Sequence, residues 1–471
     1  MRIVDLSALD AMTHTDRRSF LLTCAGLFGI AVLPPELRGA SRDENELSVD
    51  FGAPGQRIPE NFLGLSFETA GLLSGEILSS TNQSLISLIR GLGPKGVIRI
   101  GGNSSDRPAL RKGLTCNCAH IEQLSDFLSA IGWQLIYGLD LGSGKAKQAA
   151  GEAGMVAQAV GSNLLAFQFG NEPDRFGLDV RDSNFHVSEY LVEWRKFLDA
   201  LRTLVPDAPL AGPDIASDTS WLGPFISAFG SELVFLTCHY YSEGPASSPD
   251  VTMERMLDSA GVLANIIDSV ARRTTGSGLK VRMAETNSVY GGGKSGISDT
   301  LGAALWGVDV MFTLAHAGWL GINFHGGGSS RYSPIAKAPN GSFEPRPLYY
   351  AMLLFAYAGR GSLVPVHQQG TPSVQAFAVR GPDDERRIVL VNKDLTQDAR
   401  VRITTTGQKA TILRLAAPSA DSKTDITFGG ASVDSNGTWA PRFAESVPLE
   451  SERLGVELPA SSAAVIQIHP G

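Results

Sequence analysis

Cysteine is scarce in this chain, which has four cysteines in 471 residues. Cys24 falls in the N-terminal leader, which leaves Cys116, Cys118 and Cys238 for the rest of the protein. So few thiols exclude a fold that is organised by disulfide bonds. Cys116 and Cys118 have the spacing of half a metal site. No Cys or His pair elsewhere has zinc-binding spacing, so we interpret this segment as a loop with free or strained thiols.

Basic residues are not in excess either. The chain has 40 Lys and Arg residues against 48 Asp and Glu residues, and a formal net charge of -8 at pH 7. This balance gives no basic patch, so nucleic acid is not an expected partner. The same mildly acidic charge does not attract acidic polysaccharides over long distances, so an acidic sugar would have to be recognised by local contacts.

The N-terminus has no apolar run long enough to anchor the chain in a bilayer. The run that follows Arg17 and Arg18 ends near Leu33, which is too short to span a membrane. The paired arginines before Ser-Phe-Leu resemble a twin-arginine export signal. We therefore predict a signal peptide over residues 1–40, export to the periplasm or beyond, and no stable membrane anchor. A lipoprotein cleavage box at residues 21–24 and a buried N-terminal helix are the alternatives.

The chain has 43% hydrophobic residues, 19% charged residues and 52 glycines. This composition suits a soluble enzyme with a large core and many tight loops. From about residue 60, short β-rich runs alternate with longer amphipathic stretches, which is typical of repeated βα units. The eight strand candidates are residues 62–68, 97–101, 135–139, 165–170, 210–212, 233–238, 280–284 and 320–324. We predict an α/β fold with a (β/α)8 TIM barrel over residues 60–358.

The pattern changes beyond residue 358. Short segments of alternating polarity dominate, and no long helix intervenes; they are residues 374–379, 387–391, 401–405, 410–415 and 465–469. This pattern predicts a C-terminal antiparallel β-sandwich over residues 359–471. Residues 46–51 also alternate, so the N-terminal segment 41–59 is predicted to add a strand to that sandwich.

Two glutamates stand where an α/β barrel builds its active site. Glu172 follows the fourth strand candidate in Phe-Gly-Asn-Glu-Pro, and Glu285 follows the seventh in Met-Ala-Glu-Thr-Asn. Hydrolysis of a glycosidic bond requires two carboxyl groups, one as proton donor to the leaving oxygen and one as nucleophile or base. We expect this chemistry to proceed without a metal ion or other cofactor. A glutamate that closes a strand can also be only a neighbour of a helix N-terminus, which is the alternative for Glu285.

The neighbours of the two glutamates add detail. Asn171 can reach a sugar 2-hydroxyl, and Pro173 biases Glu172 away from helical backbone. Arg99 lies inside the apolar run of residues 97–100, so when buried it needs a carboxylate partner, for which Glu285 is the candidate.

Five further residues are predicted to line the site. The sixth strand supplies the phenols of Tyr240 and Tyr241, which could bind the nucleophile or the substrate or could only pack at the barrel mouth. Asn103 follows two glycines and could bind a sugar hydroxyl. Glu68 could hold hydroxyls at the pocket floor or form a structural ion pair. His325, ahead of three glycines, is either a ligand contact or a buried, hydrogen-bonded histidine.

These motifs resemble family 79 of the glycoside hydrolases, in clan A, which holds bacterial β-glucuronidases and the heparanases. The resemblance covers most of residues 47–471 and is carried by Ile-Arg-Ile-Gly-Gly-Asn at 98–103, Gly-Asn-Glu-Pro at 170–173, His-Tyr-Tyr at 239–241 and Ala-Glu-Thr-Asn at 284–287. It implies Glu172 as the acid/base and Glu285 as the nucleophile. It also implies Tyr240 as the hydrogen-bond partner of that nucleophile.

The same resemblance points to a uronic acid. Tyr290 and Tyr332 look similar to the tyrosines that, together with loop backbone, bind the uronate carboxylate in bacterial β-glucuronidases. A neutral phenol can bind a carboxylate without the desolvation cost of a buried ion pair. Arg331 and Lys294 are nearby cations that the resemblance does not need.

The expected function is therefore that of a retaining β-glucuronidase that acts on glucuronic-acid-containing oligosaccharides or glycoconjugates. A heparanase-like endo-β-glucuronidase and a clan A glycosidase for neutral sugars such as xylose or arabinose are the enzymatic alternatives. A carbohydrate-binding protein on an inactive barrel is the alternative from a different class.

Overall fold

Eight parallel strands of the computed structural model close into a barrel in the order in which the chain forms them. The structure describes residues 44–434 and 436–469, so the predicted signal peptide lies outside the described residues. Two short strands, β1 (Glu44–Val49) and β2 (Gln56–Arg57), precede the barrel. The barrel strands are β3 (Leu63–Glu68), β4 (Val97–Gly101), β5 (Gln134–Leu139), β6 (Leu164–Phe169), β7 (Leu210–Ile215), β8 (Leu233–Glu243), β9 (Val281–Val289) and β10 (Ile322–Gly326).

Each barrel strand is followed by one or two helices, which confirms the predicted (β/α)8 barrel. The helices are α1 (Thr69–Leu73), α2 (Gln83–Gly91), α3 (Asn103–Asp106), α4 (Cys118–Ile131), α5 (Ala146–Val160), α6 (Val187–Leu204), α7 (Leu222–Phe229), α8 (Met253–Leu257), α9 (Ala260–Thr274), α10 (Leu301–His316) and α11 (Pro347–Ala358). No helix among the described residues is both long and apolar enough to cross a membrane.

Helix α6 shows how the sequence forms these elements. A capping box starts it, in which Glu189 accepts a hydrogen bond from the backbone N–H of His186. Tyr190, Trp194 and Leu201 then recur at helical spacing and are fully buried. These apolar side chains pack the helix against the barrel, since an amphipathic helix gains its stability from the face that it buries.

Strands β8 and β9 are longer than the sequence predicted. They were expected to end at residues 238 and 284, but they remain paired to Glu243 and Val289. The expectation that Glu285 lies beyond the end of its strand is therefore wrong, because β8 and β9 form a ribbon that continues above the barrel rim. Glu285 lies inside β9, where neighbouring strands hold its backbone.

The C-terminal part of the chain is a β-sandwich, as predicted. Its strands, which follow the short hairpin β11 (Ile335–Lys337) and β12 (Phe343–Pro345), are β13 (Ser362–Val364), β14 (Val366–Gln369), β15 (Val374–Arg380), β16 (Arg386–Asn392), β17 (Ala399–Thr404), β18 (Lys409–Ala416), β19 (Thr427–Phe428), β20 (Glu445–Pro448), β21 (Arg453–Leu458) and β22 (Ser462–His469). One sheet has the order β14-β1-β17-β21, and the other has the order β19-β18-β22-β16-β15-β13-β2 with β20 beside β18. The N-terminal strand β1 thus lies in the sandwich, where it pairs parallel with β17.

The larger sheet has two buried faces. Successive side chains of β15 are buried on opposite faces of the sheet, because side chains alternate between the two sides of a strand. Ala378 joins the core between the two sheets, while Phe377 stacks on Phe312 of α10 with ring centroids 5.1 Å apart. A buried ion pair lies at the same interface, where Lys393 Nζ is 2.6 Å from Asp309 Oδ2 of α10.

We expect Lys393→Met to lower the free energy of unfolding by about 3–5 kcal/mol, because it leaves the Asp309 carboxylate buried without its partner. Lys409→Met, at an exposed position of the same sandwich, is the matched control. Urea denaturation measures both. Equal unfolding midpoints for the two variants would show that the Lys393 pair contributes nothing.

Candidate active site

Arg99 of β4 lies at the centre of the barrel lumen and is fully buried. Its Nη1 donates to Glu285 Oε2 at 2.6 Å, and its Nη2 donates to Asp214 Oδ2 at 2.6 Å and to Asn171 Oδ1 at 2.7 Å. Burial alone would lower the pKa of Arg99, but the charges of Asp214 and Glu285 raise it above its ordinary value. The structure thus brings Arg99 to its expected partner, Glu285, and adds Asp214, which the sequence did not indicate.

A β-bulge aims Glu285 into the lumen. Cys238 of β8 faces Met283, and the next residue, His239, faces Glu285, so Ala284 is an extra residue in β9. A regular strand would place Glu285 on the face opposite to Arg282, but the inserted residue returns it to the inner face. Bulges of this kind are common beside active sites, where they re-aim a side chain.

The surroundings of Glu285 keep its carboxylate ionised. Burial by itself would raise the pKa of this carboxyl group. The positive charges of His325 and His239 act more strongly in the opposite direction. The Arg99 guanidinium and a hydrogen bond from Tyr241 add to them, and together these groups lower the pKa of Glu285 to about 2. A carboxylate must be ionised to act as a nucleophile, so the surroundings of Glu285 hold it in the state that such a role requires.

The hydrogen-bond partner of Glu285 is Tyr241, and the prediction of Tyr240 for this role is wrong. The Tyr241 hydroxyl donates to Glu285 Oε1 at 2.8 Å. Tyr240 is buried on the outer face of β8, where its ring stacks near Trp306 of α10. The alternation of side chains along the strand is the physical reason, since His239 and Tyr241 share the inner face and Tyr240 cannot.

Glu172 follows β6 in a strained backbone conformation. Its φ is 53°, in the left-handed region that is uncommon for any residue with a side chain, and Asp214 has a φ of 62°. The backbone N–H of Glu172 donates to the Asp214 carbonyl at 2.9 Å. Strained residues of this kind concentrate at functional sites and persist where the surrounding structure holds them.

His239 connects the two halves of the site. Its Nδ1 is 3.0 Å from Glu172 Oε1, and its Nε2 is 3.1 Å from Asp214 Oδ1. Burial would lower the pKa of His239, but Asp214 and Glu285 outweigh burial and raise it to about 10. A cationic His239 therefore lies beside Glu172 at neutral pH, with both ring nitrogens protonated.

The carboxyl groups of Glu172 and Glu285 lie close together. One atom from each of Glu172, His239 and Glu285 lies within 4.8 Å of the others, so the two carboxyl groups approach to that distance or less. These three residues are the set that could be considered as metal ligands in the described part of the chain. The protonated nitrogens of His239 do not offer a lone pair to a metal, so the set is better suited to proton transfer.

Glu68 and His325 border Glu285 on the side of β3 and β10. His325 Nδ1 is 3.6 Å from Glu285 Oε2, and His325 Nε2 is 3.6 Å from Glu68 Oε1. Glu68 also accepts from the backbone N–H groups of Asn103 and Ser104 at 3.3 and 2.8 Å. Asn103 lines a cavity at this end of the barrel, and its side-chain oxygen accepts a hydrogen bond from Arg107.

Asp106 is a buried carboxyl group that the sequence analysis did not identify. It accepts from the backbone N–H groups of Leu141, Gly142 and Asn171 at 2.9, 2.8 and 2.7 Å. Burial raises the pKa of Asp106 to about 6. The contacts fix the loop after β5 to the residue that precedes Glu172, so Asp106 positions the acid side of the site.

Three tyrosines gather beside Glu285. The rings of Tyr290 and Tyr332 have centroids 6.4 and 6.2 Å from that of Tyr241. Gly244 permits this arrangement, because a Cβ atom there would lie 2.2 Å from the Tyr290 ring. Burial raises the pKa of Tyr332 above its ordinary value, so its phenol stays neutral.

The two cations near these tyrosines are engaged elsewhere. Lys294 Nζ donates to the carbonyls of Ser248 and Val251 at 2.7 and 2.9 Å. Arg331 Nη1 lies 3.9 Å from Asp299 Oδ2. Neither contact directs its cation at Glu285.

A cavity of about 960 Å³ lies at the C-terminal end of the barrel, and the buried Arg99 and His239 are not part of its lining. Its lining includes Glu172 and Glu285, together with Tyr241, Tyr290 and Tyr332. A polar, concave site with two close carboxyl groups on barrel strands four and seven is the arrangement that glycosidic hydrolysis requires.

The fold and this site define a glycoside hydrolase with a (β/α)8 barrel. Comparisons with known proteins agree. Residues 376–465 match the profile of the glycosyl hydrolase family 79 C-terminal beta domain. The resemblance to family 79 is therefore confirmed, and the chain is a glycosidase similar to proteins of that family.

Curated relatives and a solved structure extend this similarity. The chain is 26% identical over 446 residues to a β-glucuronidase of Neurospora crassa, covering 78% of this chain and 77% of that protein. It is 31% identical over 233 residues to the heparanase of Rattus norvegicus, covering 46% of this chain and 39% of that protein. A 4-O-α-L-rhamnosyl-β-D-glucuronidase from Fusarium oxysporum has the same fold, with a TM-score of 0.75, 18% identity and coverage of 90% of this chain and 100% of that one.

Substitution of the two tyrosines of β8 should affect activity to different extents. We expect Tyr241→Phe to lower kcat/KM by roughly 10- to 100-fold, since it removes a hydrogen bond to a charged group. It should also move the acid limb of the pH profile upward, because the bond lowers the Glu285 pKa. Tyr240→Phe removes a hydroxyl on the outer face of β8, away from Glu285 and close to Trp306, so kcat/KM should stay within about twofold. Equal losses for the two variants would contradict the assignment.

The raised pKa of His239 predicts a pH-dependent stability. A group whose pKa is higher in the folded state stabilises the fold fully below its ordinary pKa of 6.5, and this contribution is lost as pH rises through about 10. The free energy of unfolding of the parent should therefore fall between pH 6.5 and 10. His239→Gln should show a smaller decrease over the same range in urea titrations. An unchanged slope in the variant would assign the pH dependence to another group.

Proposed function

We propose that this protein is a retaining β-glucuronidase. The observation that carries the proposal is the geometry of Glu285, which is ionised and held by Arg99 and Tyr241 with its carboxyl group no more than 4.8 Å from that of Glu172. Retaining glycosidases have carboxyl groups about 5–5.5 Å apart, whereas inverting enzymes leave room for a water at about 6.5–9.5 Å. The short separation favours direct attack by Glu285.

The first half of the reaction forms a glycosyl-enzyme. Glu285 Oε attacks the anomeric carbon, and the bond from that carbon to the glycosidic oxygen breaks. Glu172 gives its proton to the departing oxygen, which leaves as an alcohol. Asn171 has its Oδ1 held by Arg99, so its Nδ2 remains to donate to the sugar 2-hydroxyl as the transition state develops.

The second half regenerates the enzyme. Esterification removes the negative charge of Glu285, so ionised Glu172 no longer faces a like charge a few ångströms away. His239, with its Nδ1 3.0 Å from Glu172 Oε1, holds this carboxyl group in place through both halves of the reaction. Glu172 then takes a proton from water, whose oxygen attacks the anomeric carbon. The bond from that carbon to the Glu285 oxygen breaks, so Glu285 leaves as a carboxylate and the sugar is released with retained configuration.

The preference for glucuronic acid rests on the tyrosines and on the named relatives. Tyr290 and Tyr332 flank Tyr241 beside the nucleophile, and their neutral phenols can donate to a uronate carboxylate. Glu68 and His325 offer partners for the sugar hydroxyls on the other side of Glu285. The relatives named β-glucuronidase in Neurospora crassa and heparanase in Rattus norvegicus support the same sugar.

The similarity to the rat heparanase also supports a second candidate, an endo-acting enzyme that cleaves within a glucuronic-acid-containing chain. The two candidates share Glu172, Glu285 and the glucuronide, and they differ in whether the sugar chain continues beyond the glucuronide on its non-reducing side. For either candidate we propose export through the twin-arginine-type leader, to the periplasm or outside the cell, with substrates that are met there.

A panel of p-nitrophenyl glycosides tests the function. The parent should hydrolyse the β-glucuronide with a kcat/KM at least tenfold above those of the β-glucoside, β-xyloside and α-arabinofuranoside. Tyr290→Phe and Tyr332→Phe should each lower the ratio of glucuronide to glucoside activity by roughly tenfold, because each removes a donor to a charged carboxylate. Tyr357→Phe, a half-buried position at the sandwich interface, is the matched control.

The proposal fails if a neutral glycoside is the preferred substrate. The proposed roles of Tyr290 and Tyr332 in selectivity fail if Phe at both positions leaves the ratio of glucuronide to glucoside activity unchanged. Release of glucuronic acid from the end of an oligosaccharide, as against internal cleavage products, separates the exo-acting from the endo-acting candidate.

A further inference from the structure

Two exposed leucines line the active-site cavity on the side of the acid. Leu110 is 51% exposed and Leu178 is 73% exposed. Together with Tyr290 they make up three of the nine large apolar side chains that are exposed among the described residues, and all three line this one cavity. Single exposed leucines are ordinary on a protein surface, but their concentration at a binding site indicates a ligand contact.

The two leucines are held by neighbouring turns that are joined to each other. Leu110 lies in the short 3₁₀ helix Pro108–Arg111, and Leu178 ends the 3₁₀ helix Pro173–Leu178. Arg107 and Asp179, which flank these helices, form a bidentate ion pair with both N–O distances at 2.8 Å. This pair fixes one turn against the other, so the leucines belong to a formed surface.

The position of this surface identifies what it contacts. Pro173–Leu178 begins directly after Glu172, so Leu178 lies on the element that carries the acid. The acid protonates the leaving oxygen, and the leaving group therefore lies on its side of the site. Tyr241, which donates to Glu285, and the two tyrosines that pack against it lie with Glu285 instead. The cavity of about 960 Å³ is near the upper end of the usual range of roughly 300–1,000 Å³, which leaves room for a large leaving group.

The chemistry of the surface favours an apolar leaving group over a sugar. A leucine offers dispersion contacts and no hydrogen bond, whereas a second sugar presents hydroxyls that need partners. The polar groups that flank the two 3₁₀ helices in sequence, Arg107 and Asp179, are paired with each other, and Arg107 also donates to Asn103. Arg175 lines the same cavity and is the group that an anionic sugar could use instead.

We propose that Leu110 and Leu178 form a binding site for an apolar aglycone, so that the substrates are glucuronides of alcohols with a large apolar body, such as aromatic or polycyclic alcohols. This inference rests on the proposed β-glucuronidase function and adds the class of leaving group to it. The leucines bind the departing group and leave the steps that follow its departure untouched.

The test compares two substrates with the same sugar, 2-naphthyl β-glucuronide and β-glucuronyl fluoride, whose leaving group has no apolar body. Leu110→Ala and Leu178→Ala should each lower kcat/KM for the naphthyl substrate by roughly three- to tenfold and leave that for the fluoride unchanged. Leu204→Ala is the matched control, because Leu204 is 58% exposed on α6 and does not line the cavity.

Equal losses on both substrates, or no loss on the naphthyl glucuronide, would overturn the proposal. A glucuronyl disaccharide that loses more than the naphthyl substrate in the leucine variants would also overturn it in favour of a sugar. A parent that rejects β-glucuronyl fluoride but accepts another glycosyl fluoride refutes the glucuronidase function alone. The same comparison of naphthyl and fluoride leaving groups on the accepted sugar then decides the role of the leucines.

Discussion

The charge of Arg99, sealed inside the barrel, is the constraint on which the rest of the site depends. An isolated charge in that position would be very costly, so it must be matched by carboxylates with good geometry. Asp214 from the end of β7 and Glu285 from β9 supply them, both at 2.6 Å. The same guanidinium holds the amide oxygen of Asn171, the residue before Glu172. One buried cation therefore sets the positions of Glu285, of Asn171 and, through the chain, of Glu172.

Two local distortions of the backbone, together with Arg99, position the two glutamates. The bulge at Ala284 turns Glu285 into the lumen, and Glu172 and Asp214 both have left-handed backbone at the ends of their strands. Left-handed backbone at residues other than glycine costs of order 1–3 kcal/mol each, and it persists only where the surroundings over-determine it. The hydrogen bond from Glu172 to the Asp214 carbonyl and the ion pair from Asp214 to Arg99 are such surroundings. Strain and charge pairing thus support each other within one small network.

Much of this arrangement could be predicted from the sequence, because it follows from local pattern. Eight β-rich runs indicated the barrel, and a charged Arg99 inside an apolar run demanded a carboxylate. What could not be predicted depends on contacts between distant segments. The bulge in β9 exists only in its pairing with β8, and Asp106 acquires its role by binding backbone from two other loops. The choice between Tyr240 and Tyr241 is different, since the period of two along a strand already separates them, and the family resemblance pointed to the wrong one.

The central claim is that Glu285 is the nucleophile and Glu172 the acid/base. Incubation with 2-deoxy-2-fluoro-β-glucuronyl fluoride, followed by proteolysis and mass spectrometry, tests it most directly. The 2-fluorine slows both steps, while the anomeric fluoride is a good leaving group that keeps the first step fast, so the glycosyl-enzyme accumulates. The account predicts a single label on the Glu285 carboxylate, which Glu172→Ala retains and Glu285→Gln abolishes. A label on Glu172 or on another residue would contradict these assignments. So would a parent enzyme that hydrolyses its substrate but forms no intermediate that the reagent can trap.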